Sequence, residues 1–94
     1  MNSQELLIKY KDFESRLIQV AAQVRGYEES RIFAEETEAT RALLLAEIQE
    51  QYAAEETNPL AAATFRRAAA SLRKQAAEHQ FHIRNNAPAK FSAP

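Results

Sequence analysis

Apolar side chains recur at alternating four- and three-residue steps in two long stretches of the chain. This spacing draws one stripe along an α-helix, because side chains three and four positions apart lie above each other. The first stripe is Leu6, Tyr10, Phe13, Leu17, Val20, Val24 and Tyr27, and the second is Phe65, Ala69, Leu72, Ala76, His79 and Ile83. Both stripes predict amphipathic helices that bury one side against a neighbouring helix.

The composition favours helix throughout. The 94 residues include one Gly, three Pro and no Cys, and Ala, Glu, Gln, Leu and Arg are abundant. These are helix-forming residues, and a chain of this length has room for one small domain. We therefore expect a single all-α domain over residues 1–84. Because alanine buries little surface, its core is thin, and self-association is expected to complete it.

Three helices are predicted, over about 3–25, 30–56 and 59–84. Asn2 or Ser3 caps the first, with Glu5 completing a capping box after Asn2. Gly26 then predicts a turn that lasts to Ser30, where a second cap is available. Against this break, a four-three register continues past Gly26, which leaves a single helix of about 50 residues as the rival interpretation.

Thr57-Asn58-Pro59 marks the next boundary, since the residue before proline avoids helix and proline suits the first helical position. The third helix is expected to stop in Asn85-Asn86-Ala87-Pro88. Residues 85–94 are expected to form a flexible tail unless a partner fixes them. Helices of similar length predict an antiparallel three-helix bundle, with a long two-helix hairpin as the alternative.

Charge divides the chain into two halves. Residues 1–56 hold six Lys and Arg against twelve Asp and Glu, whereas residues 57–94 hold six Lys and Arg against Glu78 alone. One interpretation is that the third helix packs antiparallel on the second, with the charges paired beside an apolar seam. The other is that an acidic surface and a basic surface each bind a partner of opposite sign.

The basic residues of the third helix form two rows. Arg66, Arg73 and Arg84 fall at nearly one angular position, and Arg67 and Lys74 form a parallel row. These five residues are the candidate binding residues for a protein partner or for phosphate. Nucleic acid is the less favoured ligand, because the domain is slightly acidic overall and no aromatic residues interleave with the arginines.

His79 and His82 lie three residues apart on the third helix and suggest a metal ion. Carboxylates of the second helix, such as Glu35 and Glu38, are able to approach them. No second Glu-x-x-His helix completes a carboxylate-bridged pair of metals, however. We therefore expect no metal site and no cofactor, with His79 filling a layer of the bundle.

Enzyme activity is not expected. The sequence contains no thiol nucleophile, no Gly-rich phosphate loop and no nucleophile elbow, and both histidines lie on one helix. A secretory signal and an apolar run of about 18–20 residues are also missing, which predicts a cytoplasmic protein with no membrane contact.

Some large apolar residues lie away from the main stripes and suggest an interface. The candidate apolar interface residues are Leu7, Ile18, Leu43 and Phe81. Together with the basic rows they predict a non-enzymatic protein–protein interaction module that binds a protein partner or forms homo-oligomers. An assembly adaptor, a chaperone and a small inhibitor are all compatible with these features. Nucleic-acid or nucleotide-phosphate binding is the alternative.

Overall fold

A computed structural model describes the backbone of residues 1–92 and the side chains of residues 1–84. The chain forms α1 (Ser3–Ala21), α2 (Tyr27–Glu55) and α3 (Pro59–Ser92). No strand occurs within residues 1–92. The predicted all-α class and the number of helices are therefore confirmed.

The start of α1 agrees with the predicted capping box. The Asn2 side chain accepts a hydrogen bond from the Glu5 amide at 2.8 Å, and the Glu5 carboxylate accepts one from the Asn2 amide at 3.2 Å. Both contacts satisfy amides that have no partner within the first turn. The end of α1 differs from the prediction, because the helix stops at Ala21 and not near Arg25.

Gly26 separates α1 from α2, so the rival single helix is wrong. Its backbone has φ 77° and ψ 165°, a conformation that only glycine adopts without strain. Gly26 serves as the N-cap of α2, which begins at Tyr27; Ser30 lies inside the helix and does not cap it. Before the turn, the Arg25 guanidinium donates hydrogen bonds to the carbonyls of Ala22 and Val24 at 2.9 and 3.1 Å.

The start of α3 also follows the prediction. The Asn58 side chain accepts hydrogen bonds from the amides of Leu60 and Ala61 at 2.9 and 3.3 Å, and Pro59 is the first helical residue. The predicted end near Arg84 is wrong, because α3 extends to Ser92. Pro88 lies inside this helix, although an interior proline lacks the amide hydrogen and its ring clashes with a carbonyl of the preceding turn. Of the flexible tail predicted over 85–94, the backbone up to Ser92 belongs to α3, whereas the side chains of 85–94 and residues 93–94 lie outside the described residues.

Contacts between the helices establish an antiparallel order. Along α1, Ser3 contacts Glu55 and Glu14 contacts Arg41, so the two chain directions are opposed. Along α3, the ring of Phe65 lies 5.4 Å from that of Tyr52, whereas His79 contacts Glu35. In the described part of the chain α2 contacts both α1 and α3, which do not contact each other. The predicted antiparallel three-helix architecture is confirmed.

The two neighbours of α2 contact opposite sides of it. Glu35 and Glu50 both contact α3 and so mark the side of α2 that faces it. Four buried alanines lie on the same side: Ala39, Ala42, Ala46 and Ala53. Leu44 and Ile48 share the α1-facing side with Arg41. Residues two positions apart, such as Leu44 and Ala46, point about 200° apart around a helix. The three helices therefore lie side by side in one layer, with principal dimensions of 57 × 26 × 14 Å.

Alanines line the α2–α3 interface from both helices. On α3, the residues Ala62, Ala69 and Ala76 recur every seven positions and are buried, and between them Phe65, Leu72 and His79 are half-buried. Small residues let two helices approach closely, while the larger ones close the edges of the interface. The stripe predicted for α3 is thereby confirmed. On α1 the predicted stripe is covered from Leu6 to Leu17 and exposed at Val20.

Candidate functional site

An ion pair between α2 and α3 engages the middle residue of the predicted basic row. The guanidinium of Arg73 donates two hydrogen bonds to the Glu50 carboxylate, each at 2.7 Å. This contact lowers the pKa of Glu50 and raises that of Arg73, because each charge is favoured by the other. Arg73 therefore links the two helices, as the interpretation with paired charges predicts.

The other basic candidates lie on the surface of α3. Arg66, Arg84 and Lys74 are exposed, and Arg67 contacts the hydroxyl of Thr64 at 3.4 Å. Arg66 and Arg84 share one side of α3 with Arg73, since their spacings of seven and eleven are close to two and three helical turns. Two cations of the predicted row are thus available to a partner, while the third is bound within the chain.

Polar contacts also join α1 to α2. The Arg41 guanidinium contacts the carboxylates of Glu14 and Glu38, with a distance of 2.9 Å to Glu14. This contact raises the pKa of Arg41 and lowers that of Glu14. At the end of the layer the Ser3 hydroxyl donates to Glu55 at 2.7 Å, and this bond lowers the pKa of Glu55. These pairs orient α1 on α2.

A shallow groove runs between α1 and α2 on one broad face of the layer. It is lined by Lys9, Asp12, Phe13, Arg16, Thr40, Leu43, Leu44 and Glu47. Charged side chains form its rim, and apolar side chains form its floor. Because the groove is open and its ionisable residues come from two exposed rims, it offers no dry cavity of the kind that catalysis needs.

The predicted apolar interface residues do not form one patch. Leu7 and Ile18 lie eleven residues apart on one side of α1, and Ile18 is 77 % exposed. Leu43 lies half-buried in the groove between α1 and α2. Phe81 is exposed on α3, which does not contact α1 in the described part of the chain. The structure therefore brings together only the pair on α1.

A carboxylate of α2 meets both histidines of α3. Nδ1 of His79 lies 2.6 Å from Oε2 of Glu35, and Nδ1 of His82 lies 3.8 Å from the same oxygen. One donor atom from each of the three residues falls within 4.8 Å of the others. The sequence places the two histidines on one helix, but the contact with Glu35 depends on how α2 and α3 are rotated against each other.

Several of these residues follow from no sequence motif. Glu50 and Glu14 are two among many glutamates, and nothing in their spacing distinguishes the ones that face a basic residue across an interface. Arg41 continues the four-three register in which apolar residues are expected, but so does Arg31, which pairs with Glu28 of its own helix. The register therefore does not distinguish the arginine that contacts α1.

Comparison of the chain with models of known protein families, with curated protein sequences and with solved structures found no match. Within the described residues, no helix combines the length and the apolar character that a bilayer crossing requires.

Proposed function

We propose that this chain is a non-enzymatic protein–protein interaction module that binds through its helical surfaces, and that its first partner is a second copy of itself. One observation carries the proposal: the helices form a single layer. In residues 1–84 no large side chain is fully buried, and the residues with the least exposure are Ala46, Ala69 and Ala76. A layer of this kind leaves both broad faces without a covering element.

The core of the layer is small, and its burial has to offset the cost of ordering the chain. Burying apolar surface contributes about 25 cal/mol per Å², whereas ordering the backbone costs roughly 1–2 kcal/mol per residue. A core lined by alanine buries little apolar surface, so this favourable contribution is small. Association of two layers through one broad face buries half-covered side chains of α2 on that face, such as Leu45 and Tyr52, and adds to the favourable side.

The side of α1 that carries Leu7 and Ile18 is the surface that we propose for the contact. It is the one place among the described residues where two of the predicted interface residues share a helix side, and it adjoins Ser3 and Glu14, which join α1 to α2 through Glu55 and Arg41. An exposed aliphatic pair three turns apart suits a neighbouring helix of similar length.

The test is the mass of the purified full chain by light scattering over a range of concentrations. We expect the mass to rise above the 10.6 kDa of one chain as the concentration rises. Ile18→Glu should weaken association at least tenfold, because a charge would have to be desolvated in the interface. Leu60→Glu is the matched control, since Leu60 is also a highly exposed aliphatic residue but lies on α3.

Two results contradict the proposal. A mass of one chain at every concentration rules out self-association. An equal effect of Ile18→Glu and Leu60→Glu on association rules out the assigned surface. Circular dichroism of each variant verifies that its helices are intact.

Phosphate binding through α3 is tested in parallel. The engagement of Arg73 by Glu50 leaves Arg66 and Arg84 as the cations on that side. We expect no affinity for a generic oligonucleotide at physiological salt. Binding that falls steeply with salt and disappears in Arg66→Glu combined with Arg84→Glu would favour the nucleic-acid function in place of protein binding.

A further inference from the structure

Glu35, His79 and His82 form a cluster between α2 and α3, far along both helices from the connection at residues 56–58. Among the described residues they are a group of three nitrogen and oxygen donors with one donor atom each within 4.8 Å of the others. Their side chains are 24, 33 and 49 % exposed respectively, so the cluster is partly covered and still open to solvent.

Hydrogen bonding alone accounts for only part of this arrangement. His79 is at hydrogen-bond distance from Oε2 of Glu35, at 2.6 Å, but Nδ1 of His82 faces the same oxygen from 3.8 Å, which is beyond hydrogen-bond range. Two imidazole nitrogens thus converge on one carboxylate oxygen. A positively charged ion placed among the three donors would contact all of them.

We propose that Glu35, His79 and His82 bind a divalent transition-metal ion of the zinc class, with water as the fourth ligand. In a tetrahedral zinc site the bonds to nitrogen and oxygen are about 2.0–2.2 Å, so neighbouring donor atoms lie about 3.3 Å apart. The observed separations of 2.6 and 3.8 Å lie on either side of this value. The third separation, between the two histidines, is at most 4.8 Å, so side-chain shifts of up to about 1.5 Å bring all three donors into range.

The donor set determines the class of ion. Two imidazoles and one carboxylate suit zinc and its neighbours in the first transition row, whereas calcium and magnesium prefer sites made only of oxygen. This conclusion departs from the expectation of no metal site, which rests on the absence of a second Glu-x-x-His helix. The third ligand comes from the other helix, and the sequence does not show which carboxylate occupies that position.

Bound metal would join α2 to α3 at the point where Glu35 contacts the histidines. An ion that binds the folded chain stabilises it in proportion to the logarithm of its concentration. At a zinc concentration about 100-fold above the dissociation constant, the melting temperature should rise by about 10 °C for a chain of this size.

The experiment uses the full chain, purified without a polyhistidine tag and stripped with a chelator. Titration calorimetry with Zn²⁺ should give one site per chain, and Co²⁺ should give the intense visible absorption of a four-coordinate site. Glu35→Gln and His82→Asn should each weaken Zn²⁺ binding at least tenfold. Glu78→Gln is the matched control, because it removes the same charge from a residue next to His79 that is not part of the cluster.

The proposal is overturned if the wild-type chain binds no Zn²⁺, or if Glu35→Gln binds as tightly as Glu78→Gln. A stoichiometry of one ion per two chains would also overturn it, since the three ligands come from one chain. Circular dichroism of each variant before titration separates loss of the site from loss of fold, and the Co²⁺ spectrum of the wild-type chain is independent of any variant.

Discussion

At the scale of single residues, the turn between α1 and α2 requires glycine because of its backbone conformation, and not because a side chain would lack room there. Gly26 has φ 77°, and a Cβ atom added there would meet no heavy atom within 4 Å. The constraint is therefore entirely conformational, since the Cβ atom of any other residue clashes with the residue's own backbone at positive φ. Any other residue at this position has to distort the turn or shift the start of α2.

Gly26→Ala tests this constraint. We expect the free energy of unfolding to fall by about 1–3 kcal/mol, because an L-residue is forced into a region of the backbone map that it rarely adopts. Ser30→Ala is the control and should change stability by less than about 0.5 kcal/mol, since Ser30 does not cap α2. Urea denaturation of both variants gives the comparison, and equal stabilities would contradict the assignment of the turn to Gly26.

Residue-level signals predicted the starts of α1 and α3 well, but not the start of α2 or the ends of α1 and α3. Asn2, Glu5 and Asn58 act through their own side chains on amides nearby, so their sequence positions are sufficient to assign them. The sequence predicts that α3 ends before Pro88, because an interior proline costs about 3 kcal/mol, and the helix nevertheless continues to Ser92.

At the scale of helices, α2 differs from the other two in being contacted on opposite sides. The four-three stripe of α3 is readable because Phe65 and Leu72 mark it, and its burial was predicted. On α2 the side that faces α3 consists of alanines, and alanine is equally common on exposed helix surfaces. Ala39, Ala42 and Ala46 therefore gave no signal, although Ala46 is completely buried.

The close packing of alanines between α2 and α3 predicts that a larger side chain in this interface destabilises the chain. Ala69→Leu should destabilise the chain by about 1–3 kcal/mol, because Ala69 is 1 % exposed and the added atoms must separate α2 from α3. Ala70→Leu is the matched control; its position is exposed, and its effect should stay within about 0.5 kcal/mol. Chemical denaturation measures both variants. Equal destabilisation by the two would show that α3 does not face α2 through Ala69.

At the scale of the whole molecule, the charge division of the sequence appears as contacts between neighbouring helices. The acidic α2 holds Arg73 through Glu50 and His79 through Glu35, as the pairing interpretation predicts. Sequence predicts that such pairs exist, but it does not select the partners, because the selection depends on the rotation and register of two helices. The sequence names Glu35 and Glu38 as carboxylates able to approach the two histidines, and the register of α2 against α3 selects Glu35.

The central claim is that the three helices form one layer, with α2 between α1 and α3. Because the chain has no cysteine, spin labels attach only at introduced cysteines. Arg16 and Thr40 line the same groove, and Ala77 is exposed on α3. Spin labels are placed at residues 16 and 40 in one sample and at residues 16 and 77 in another, and each labelled chain is diluted with unlabelled chain. Double electron–electron resonance then gives the distance between the two labels in each sample. A layer predicts that 16/77 is longer by about one helix spacing, 8–10 Å; two equal distances would show a closed bundle and contradict the claim.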